Sequence, residues 1–440
     1  MLGSFLGLTV LPTAILLSQK LAKLAIYLDK RPELPAHLIQ KESVGQDDAI
    51  ERVTLVESSA NVVREVFKKC LGERGGGPSG VDSNGRPEGR RIGIYLTANI
   101  CLKLFFRCKK LRSAETIFSN IYQHSPPLAL FPAPQRVTYL YYLGRYHFAN
   151  NHFFRAQLAL QEAFNQCSKG YASQRRQILI YLITSNIILG RFPKPTIWQL
   201  QEAALLQEKF EPICKAIKYG DLSSFRQLLD INSSHADWFI HKKILLQMSN
   251  RCEVLVWRSL ARRTFLLSGS TGDASKNISP VLGLQDVLTL AIYLERKAKT
   301  LKNVPPSRAK HTNSIFIEND DSDRDTESDY VDPDLAGVAE PTFELLPDME
   351  SIESIAASLV EQDLLHGYLA HSSHRFAIKG ARTAPALQAG FPKVWDVIKG
   401  KADTEIPGWK KEERKGTLGG APGPGSVIHL SGARPVGASA

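Results

Sequence analysis

The stretch Pro132–Phe164 reads PAPQRVTYLYYLGRYHFANNHFFRAQLALQEAF. It contains two runs with apolar residues at helical spacing, joined by a short polar turn at Ala149 to Asn151. Small and apolar residues recur at the spacing of a tetratricopeptide unit, in which small side chains let two helices approach closely. These positions are Leu143, Gly144, Ala156, Leu160 and Ala163. The stretch therefore predicts a helical hairpin.

The same pattern continues on both sides of this hairpin. Ala114, Phe118 and Ile121 occupy equivalent places one unit earlier, with Ala114 lying 42 residues before Ala156. Four helical hairpins are predicted between residues 91 and 230. Their helices are Ile94–Phe106, Leu111–Ile121, Val137–Phe148, Phe153–Phe164, Arg176–Leu189, Ile197–Leu206, Ile213–Tyr219 and Leu222–Leu229. Stacked hairpins form a solenoid whose long surface holds partners without needing a catalytic pocket.

A second module follows the hairpins. A helix-rich segment, Phe239 to Leu267, precedes a helix at Leu284–Lys299, a long acidic run, a helix at Ser351–Gln362 and two strand-like pieces. The strand-like pieces are Leu364–Ala370 and Arg375–Lys379. Helix, insertion, helix and hairpin is the order of a winged helix. We therefore expect a mainly α fold in which a tetratricopeptide-like solenoid is fused to a C-terminal winged helix.

This organisation gives five expected regions. They are N-terminal helices (1–71), a Gly/Pro-rich flexible loop (72–90), the helical repeats (91–267), the winged helix (268–379) with an acidic disordered insertion (311–349), and a mostly disordered tail (380–440). An aromatic patch in the tail could pack back on the body. Its residues are Phe391, Trp395 and Trp409.

Charge is strongly segregated along the 440 residues. The net charge is +11, but Glu318 to Glu353 holds fourteen acids and one base, Arg324, so the rest of the chain carries about +24. A body this basic favours a polyanionic partner through counterion release, either nucleic acid or an anionic membrane surface. Charge alone does not choose between them.

The outward positions of Phe239 to Leu267 are cationic. Arg251, Arg258 and Arg262 follow one another at steps of seven and four, which places them on one helical face. The candidate nucleic-acid contacts in this segment are Lys242, Lys243, Arg251, Arg258, Arg262 and Arg263. A solvated face with no partner is the simpler alternative.

The sequence lacks the usual enzyme and metal-site motifs. It contains no G-x-S-x-G, H-E-x-x-H or P-loop, and its six cysteines form no C-x-x-C pair. Three histidines, His366, His371 and His374, lie within nine residues, but a zinc site needs a fourth ligand. We therefore expect no catalytic residues, no metal and no cofactor.

The segment from Leu2 to Leu17 is apolar but is broken by Pro12. At sixteen residues it is too short to span a bilayer comfortably, and no basic run precedes it as in a signal peptide. A buried or amphipathic first helix, or a wrongly chosen start codon, is the favoured interpretation. The rival is a protein that uses this segment on a membrane surface.

Several strings resemble PCI-domain proteins, agreeing in order and spacing from about Val53 to Ile398. They are RIGIYLTANICLKLFFRCKKLRSAETIF (91–118), the hairpin quoted above, QRRQILIYLITSNIILGRFP (174–193), AIKYGDLSSF (216–225) and VWRSLARRTF (256–265). The resemblance is to PCI subunits of nuclear transcription-and-export (TREX-two) complexes and to the proteins called the twelfth subunit of the signalosome. The chain departs from it at the apolar N-terminus, the Gly-rich loop, the acidic insertion and Asp363, where a small residue or Gly is expected.

The resemblance implies a non-enzymatic scaffold for messenger-RNA export, located in the nucleus and at its periphery, with some cytoplasmic presence possible. It implies docking to a large helical scaffold subunit and a small acidic disordered protein, and phosphate contacts to RNA and possibly DNA. Arg375 and Lys379 on the wing would join the basic platform. No membrane partner is implied. The alternative is a protein-only scaffold associated with the signalosome.

The acidic insertion suggests regulation of this platform. We expect it to compete with RNA for the neighbouring basic surface, because tethering gives it a high effective concentration. Ser322 and Thr326 each precede an acid by three residues, as acidophilic kinases require. Phosphorylation there would add negative charge and deepen the inhibition. A solubilising loop without a regulatory role is the alternative.

Overall fold

The computed structural model describes residues 2–31, 33–34, 54–72, 81–82, 86–272, 278–303 and 348–410. Its first twelve helices are α1 Leu2–Asp29, α2 Leu55–Leu71, α3 Ile94–Arg107, α4 Leu111–His124, α5 Ala133–Ala149, α6 Phe153–Gln166, α7 Ala172–Ile188, α8 Pro195–Trp198, α9 Gln207–Tyr219, α10 Leu222–Leu228, α11 Ala236–Lys242 and α12 Leu245–Ser268. The remaining elements are β1 Val281–Gly283, α13 Leu284–Asn303, α14 Met349–Glu361, β2 Gly367–Ala370, β3 Arg375–Ile378, α15 Ala386–Gly390 and α16 Val394–Lys401. The mainly α fold predicted from the sequence is confirmed.

The central hairpin α5–α6 has the close packing that its small residues predict. A Cβ atom added to Gly144 would lie 2.5 Å from Leu160 Cγ, so no larger residue fits at this crossing. Ala156 and Ala163 are fully buried on the facing side. The turn passes through Asn151, whose φ of 61° is tolerated by asparagine better than by most residues. Sequence and geometry therefore agree at the hairpin that decides the fold.

The third predicted hairpin lacks its second helix. The sequence predicts one helix over Ile197–Leu206, but the structure has the one-turn α8, a 3₁₀ turn at Gln201–Ala203 and a left-handed Leu205 (φ 61°). Arg176 donates hydrogen bonds to the carbonyl oxygens of Glu202 (3.1 Å) and Ala204 (2.5 Å). These bonds from the Arg176 side chain satisfy backbone carbonyl groups that a regular helix would otherwise pair. The segment between α8 and α9 can therefore pack on α7 without forming a continuous helix.

The N-terminal segment forms a longer helix than predicted. α1 runs from Leu2 to Asp29 with Pro12 inside it, and Leu11, Ala22 and Ala25 are buried. By length and composition Thr9–Asp29 could cross a membrane, a test that signal sequences and core helices also pass. The argument that the apolar N-terminal segment is too short to span a bilayer is therefore wrong. α1 packs against α2 and α3, as expected for a first helix with one buried face.

The winged helix is built on α12, β1, α13, α14 and the hairpin β2–β3. Its sheet has the order β1-β3-β2, with all pairs antiparallel, and the fully buried Phe376 at the centre opposite Leu282 and Leu369. Strand β1 is too short to have a sequence signal of its own. Asp363, where a Gly was expected, has φ 57°, a conformation that favours glycine. One hydrophobic cluster continues from the solenoid into this module.

Residues 386–409 form a strap that returns from the winged helix across the solenoid. Val394 packs on Gly190, Trp395 lies 5.5 Å from the ring of Phe154, and Ile406 is buried. The Tyr139 hydroxyl donates a 2.6 Å hydrogen bond to the carbonyl oxygen of Gly408. The expectation of a mostly disordered tail is therefore wrong for residues 386–409, whereas the expected return of its aromatic patch is found. Residues 411–440 lie outside the described part of the chain.

Candidate nucleic-acid interface

The sequence predicts that Arg258 lies on the outer surface, but the structure places it between α12, the winged helix and the strap. Its guanidinium donates hydrogen bonds to the carbonyl oxygens of Leu364 (3.2 Å), Phe391 (3.1 Å) and Pro392 (2.6 Å). Burial, and then the charge of Arg262, lowers the pKa of Arg258 to about 10, so the group remains cationic at neutral pH. Arg258 thus joins α12 to the winged helix and the strap. The prediction that it faces solvent is wrong, because the strap covers this face.

Arg262 and Arg263 are exposed near the C-terminal end of α12. Among the described residues neither has a carboxylate partner within ion-pair distance. Arg263 donates one hydrogen bond, 3.3 Å long, to the Tyr219 carbonyl oxygen, which leaves its charge uncompensated. We name these two residues the wing-side cluster. Both side chains are accessible to a partner, and their contact with phosphates remains a prediction.

Arg251 is also exposed but lies apart from the wing-side cluster. It lines an open groove between α12, the strap and the loop after α14, together with Gln362 and Lys401. Eleven residues along α12 separate it from Arg262, which corresponds to about 16 Å at 1.5 Å per residue. The predicted single face of Arg251, Arg258 and Arg262 is therefore interrupted at its middle member.

Lys242 and Lys243 lie at the other end of α12, at the turn after α11. The seventeen residues of α12 from Leu245 to Arg262 span about 26 Å of helix, so the structure does not bring these lysines together with the wing-side cluster. Burial, and then the charges of Arg145 and Arg176, lowers the pKa of Lys242. The pKa of Lys243 is lowered by burial and then by Lys109 and Arg145. The lysines therefore belong to a second group of cations.

We name this second group the solenoid cluster, consisting of Lys109, Arg145, Arg176, Lys242 and Lys243. Its members come from separate turns and helices, and sequence reasoning missed the first three. The guanidinium of Arg145 lies 5.0 Å from the ring centroids of Phe106 and Tyr181, a cation–π geometry. The available signals were the KK pair in the α3–α4 turn and an arginine inside an apolar helix. Neither signal reveals that the segments carrying these residues lie near Lys242 and Lys243 in the fold.

The wing places Arg375 and Lys379 on its exposed side. Both are exposed, while Phe376 and Ile378 between them face the core. The two cations stand at opposite ends of β3 and flank its hairpin partner β2. They are accessible to a partner, and no contact in the described residues distinguishes nucleic acid from protein.

The three histidines noted in the sequence do not form a metal centre. His371 Nδ1 lies 2.7 Å from Glu353 Oε1, and His374 Nδ1 lies 3.9 Å from Glu353 Oε2, while His366 is not part of this group. Within the residues that the structure describes, no group of three potential ligands could hold a metal ion. The aromatic side chains of Tyr139 and Phe148 are buried in the core and therefore cannot stack on a base.

Helix α14 gives the winged helix an unusual charge for a nucleic-acid module. In helix-turn-helix proteins the second helix of the pair lies in the DNA major groove. Here that helix, MESIESIAASLVE, contains Glu350, Glu353 and Glu361 but no lysine or arginine, and Asp348 caps its N-terminus. Insertion of α14 into a groove would bring carboxylates against phosphates. The fold therefore favours contact through the basic surfaces beside the winged helix.

Two elements predicted from the sequence lie outside the described residues. Residues 304–347 are outside the description, and they contain Ser322, Thr326 and all of the predicted acidic insertion (311–349) except its last two residues, Asp348 and Met349. Asp348, at the end of this segment, accepts a 2.8 Å hydrogen bond from the Ser351 backbone N–H. The regulatory role of the insertion remains a prediction.

Comparison with known proteins confirms the resemblance noted in the sequence. The chain is 28% identical over 363 residues to "PCI domain-containing protein C1105.07c" of Schizosaccharomyces pombe, covering 82% of this chain and 66% of that protein. It is 28% identical over 224 residues to "Protein CSN12 homolog" of Gibberella zeae and 26% identical over 213 residues to "PCI domain-containing protein 2" of Xenopus laevis. These matches cover 50% and 48% of this chain, and 46% and 49% of the relatives.

The chain thus spans two thirds or less of the length of these relatives. No protein-family model matches the chain. The relatives' names support a relationship to PCI-domain and CSN12-like proteins, and a helical solenoid with a winged helix fits that relationship.

Proposed function

We propose that this chain is a non-enzymatic scaffold subunit of a nuclear messenger-RNA-export complex that contacts nucleic-acid phosphates through its basic surfaces. The observation that carries the proposal is the wing-side cluster. Arg262 and Arg263 stand exposed and without a carboxylate partner among the described residues, near the end of α12 beside the winged helix. The proposed protein partners are a large helical scaffold subunit and a small acidic disordered protein.

Single-stranded RNA is a better fit than duplex DNA. The carboxylates of α14 oppose groove insertion, whereas exposed cations beside the winged helix can contact a flexible phosphate backbone. Such contacts carry no base information, so binding should depend strongly on salt and weakly on sequence. The proposal therefore concerns the phosphate backbone of RNA first and DNA second.

Charge reversal of the wing-side cluster is expected to weaken RNA binding at least tenfold at about 0.1 M salt. The double variant Arg262→Glu/Arg263→Glu removes two phosphate contacts, so the slope of log K against log salt should fall by about 1.4. Fluorescence anisotropy with a labelled single-stranded RNA measures both quantities. Arg258 is excluded from this test because its side chain holds the fold together.

The matched control is Lys20→Glu/Lys23→Glu, which makes the same change in net charge at exposed positions on α1. Its affinity should stay within about twofold of the parent because these lysines lie on a different element. Equal losses in both double variants would indicate a non-specific charge effect. Unchanged affinity in the wing-side variant would contradict the proposal.

A protein-only scaffold of the signalosome type is the second candidate. The acidic α14 and the relatives named CSN12 homologs favour it. In that case the basic surfaces contact an acidic protein subunit. The parent chain and the Arg262→Glu/Arg263→Glu variant should then bind RNA with equal affinity. Affinity capture followed by mass spectrometry separates the candidates, since recovery of export-complex subunits supports the first and recovery of signalosome subunits supports the second.

Deletion of the acidic insertion is expected to tighten RNA binding roughly fivefold at low salt. Removing residues 318–347 eliminates a tethered polyanion that competes for the basic surfaces. Asp348 is retained because it caps α14. A neutral Gly/Ser linker of equal length controls for the change in chain length. The competition hypothesis fails if deletion leaves the low-salt affinity unchanged.

A further inference from the structure

A groove between α9, α10 and α13 combines exposed rings with cations. It has a volume of about 870 Å³. Tyr219 is 63% exposed and Tyr293 is 58% exposed, and both line this groove. We name it the tyrosine groove. Its charged lining residues are Lys215, Asp221, Arg263 and Lys297.

We propose that the tyrosine groove binds a short run of single-stranded nucleic acid, with bases stacked on Tyr219 and Tyr293 and phosphates near Arg263 and Lys297. This inference rests on the proposed function and assigns the place where the strand makes base contacts. Aromatic stacking accepts any base because every base has a π face.

The backbone holds Tyr219 in a fixed position. It is the last residue of α9, and the next residue, Gly220, has φ 70°. A Cβ at Gly220 would lie 2.6 Å from the backbone nitrogen of Leu260, so the turn is pressed against α12. The hydrogen bond from Arg263 to the Tyr219 carbonyl oxygen adds a second restraint. The exposed ring is therefore presented by a rigid support.

The charges of the groove favour an anion. Asp221 is its one acidic residue among the described lining residues, and its carboxylate is occupied by the backbone N–H (3.0 Å) and hydroxyl (2.7 Å) of Ser224. Lys215 is paired with Glu211 at 2.9 Å, whereas the described residues give Lys297 no carboxylate within ion-pair distance. Arg263 and Lys297 therefore outnumber the single carboxylate of Asp221, and the groove keeps a positive balance that favours an anion.

The rest of the lining argues against an apolar helix as the occupant. Ser224, Gln227, Ser233 and Ser234 contribute polar side chains to the wall. An apolar partner would also bury the guanidinium of Arg263 and the ammonium of Lys297 without carboxylate partners, at a cost in free energy. A nucleotide strand supplies both flat rings for the tyrosines and hydrogen-bonding groups for the polar wall. The groove therefore fits nucleic acid better than an apolar peptide.

The test compares tyrosine variants on the full chain with a labelled fifteen-nucleotide oligouridylate. Tyr219→Ala/Tyr293→Ala should weaken binding about thirtyfold, with the salt slope unchanged because no phosphate contact is lost. Tyr219→Phe/Tyr293→Phe should restore affinity to within about threefold of the parent, since phenylalanine also stacks. Thermal unfolding of each variant checks that the fold is intact.

An abasic oligonucleotide of the same length distinguishes stacking from charge. The parent chain should bind it about as weakly as the double alanine variant binds oligouridylate, while the variant should bind both oligonucleotides equally. If the alanine variant binds like the parent while Arg262→Glu/Arg263→Glu binds weakly, the tyrosine inference is wrong and the proposed function stands. If the parent binds no RNA at low salt, both are wrong.

Discussion

Replacement of Arg258 by methionine is expected to lower the free energy of unfolding by about 3 kcal/mol. Methionine keeps the apolar stem but removes the guanidinium that donates to three backbone carbonyls. Two of these carbonyls belong to the strap and one to the loop before β2. Their oxygens would be left without this donor in a largely buried environment, which accounts for the size of the effect.

Urea denaturation followed by circular dichroism measures the loss. Arg262→Met is the matched control, since this neighbouring side chain is exposed and should change stability by less than about 0.5 kcal/mol. Limited proteolysis should cut the strap of the Arg258→Met variant first. Equal stability of the two variants would show that the three hydrogen bonds contribute nothing net.

The second large effect is a loss of stability on acidification that depends on His147. This side chain is 2% exposed, and its Nε2 lies 3.2 Å from the carbonyl oxygen of Pro407 in the strap. Nδ1 is buried with no hydrogen-bond partner among the described residues. Burial lowers the pKa of His147 to about 4, partly opposed by the Pro407 carbonyl and assisted by the charges of Arg155 and His152.

The sign of the change in stability with pH follows from proton binding. Between its ordinary pKa near 6.5 and the folded value of about 4, His147 takes up a proton in the unfolded chain but not in the folded one. Its contribution is fully present above pH 6.5 and is lost as the pH falls to 4. The total is about 3 kcal/mol, of which about 2 kcal/mol is lost by pH 5.

Urea denaturation at pH 7.5 and pH 5 tests this expectation. His147→Gln can still donate to Pro407 and cannot titrate, so its stability should change less between the two pH values than that of the parent. His241→Gln is the control, because His241 is exposed on α11 and is not among the groups that shift the pKa of His147. An unaltered pH dependence in the His147 variant would contradict the assignment.

Local pattern predicted most of the helices but not where they meet. The hairpin α5–α6 was evident from Gly144 and its alanine partners, since hairpin packing depends on neighbours in sequence. The solenoid cluster was not, because Lys109, Arg145 and Arg176 come near Lys242 and Lys243 only through tertiary packing. Strand β1 was missed because three residues are too few to show a strand periodicity. It is defined only by its pairing with β3 in the sheet.

The candidate interface shows the same limit. Helical spacing correctly places Arg251, Arg258 and Arg262 along one face of α12, but spacing does not reveal what covers that face. The Gly- and Pro-rich composition after residue 380 predicted disorder, although Phe391, Val394 and Ile406 contribute enough apolar surface to order the strap. Arg258 was therefore assigned to solvent when it is in fact a structural residue.

The strap is synthesised after the part of the solenoid that it covers, so the packing of that part is completed late in translation. Tyr139 and its hydrogen-bond partner Gly408 are separated by 269 residues, so at 5–20 residues per second the ribosome takes roughly 13–54 s to deliver the cover for this tyrosine. During that interval Phe118, Leu143 and His147 lack part of their final packing. The nascent solenoid therefore exposes part of this apolar surface until translation has passed residue 408, and that surface is open to aggregation in the interval.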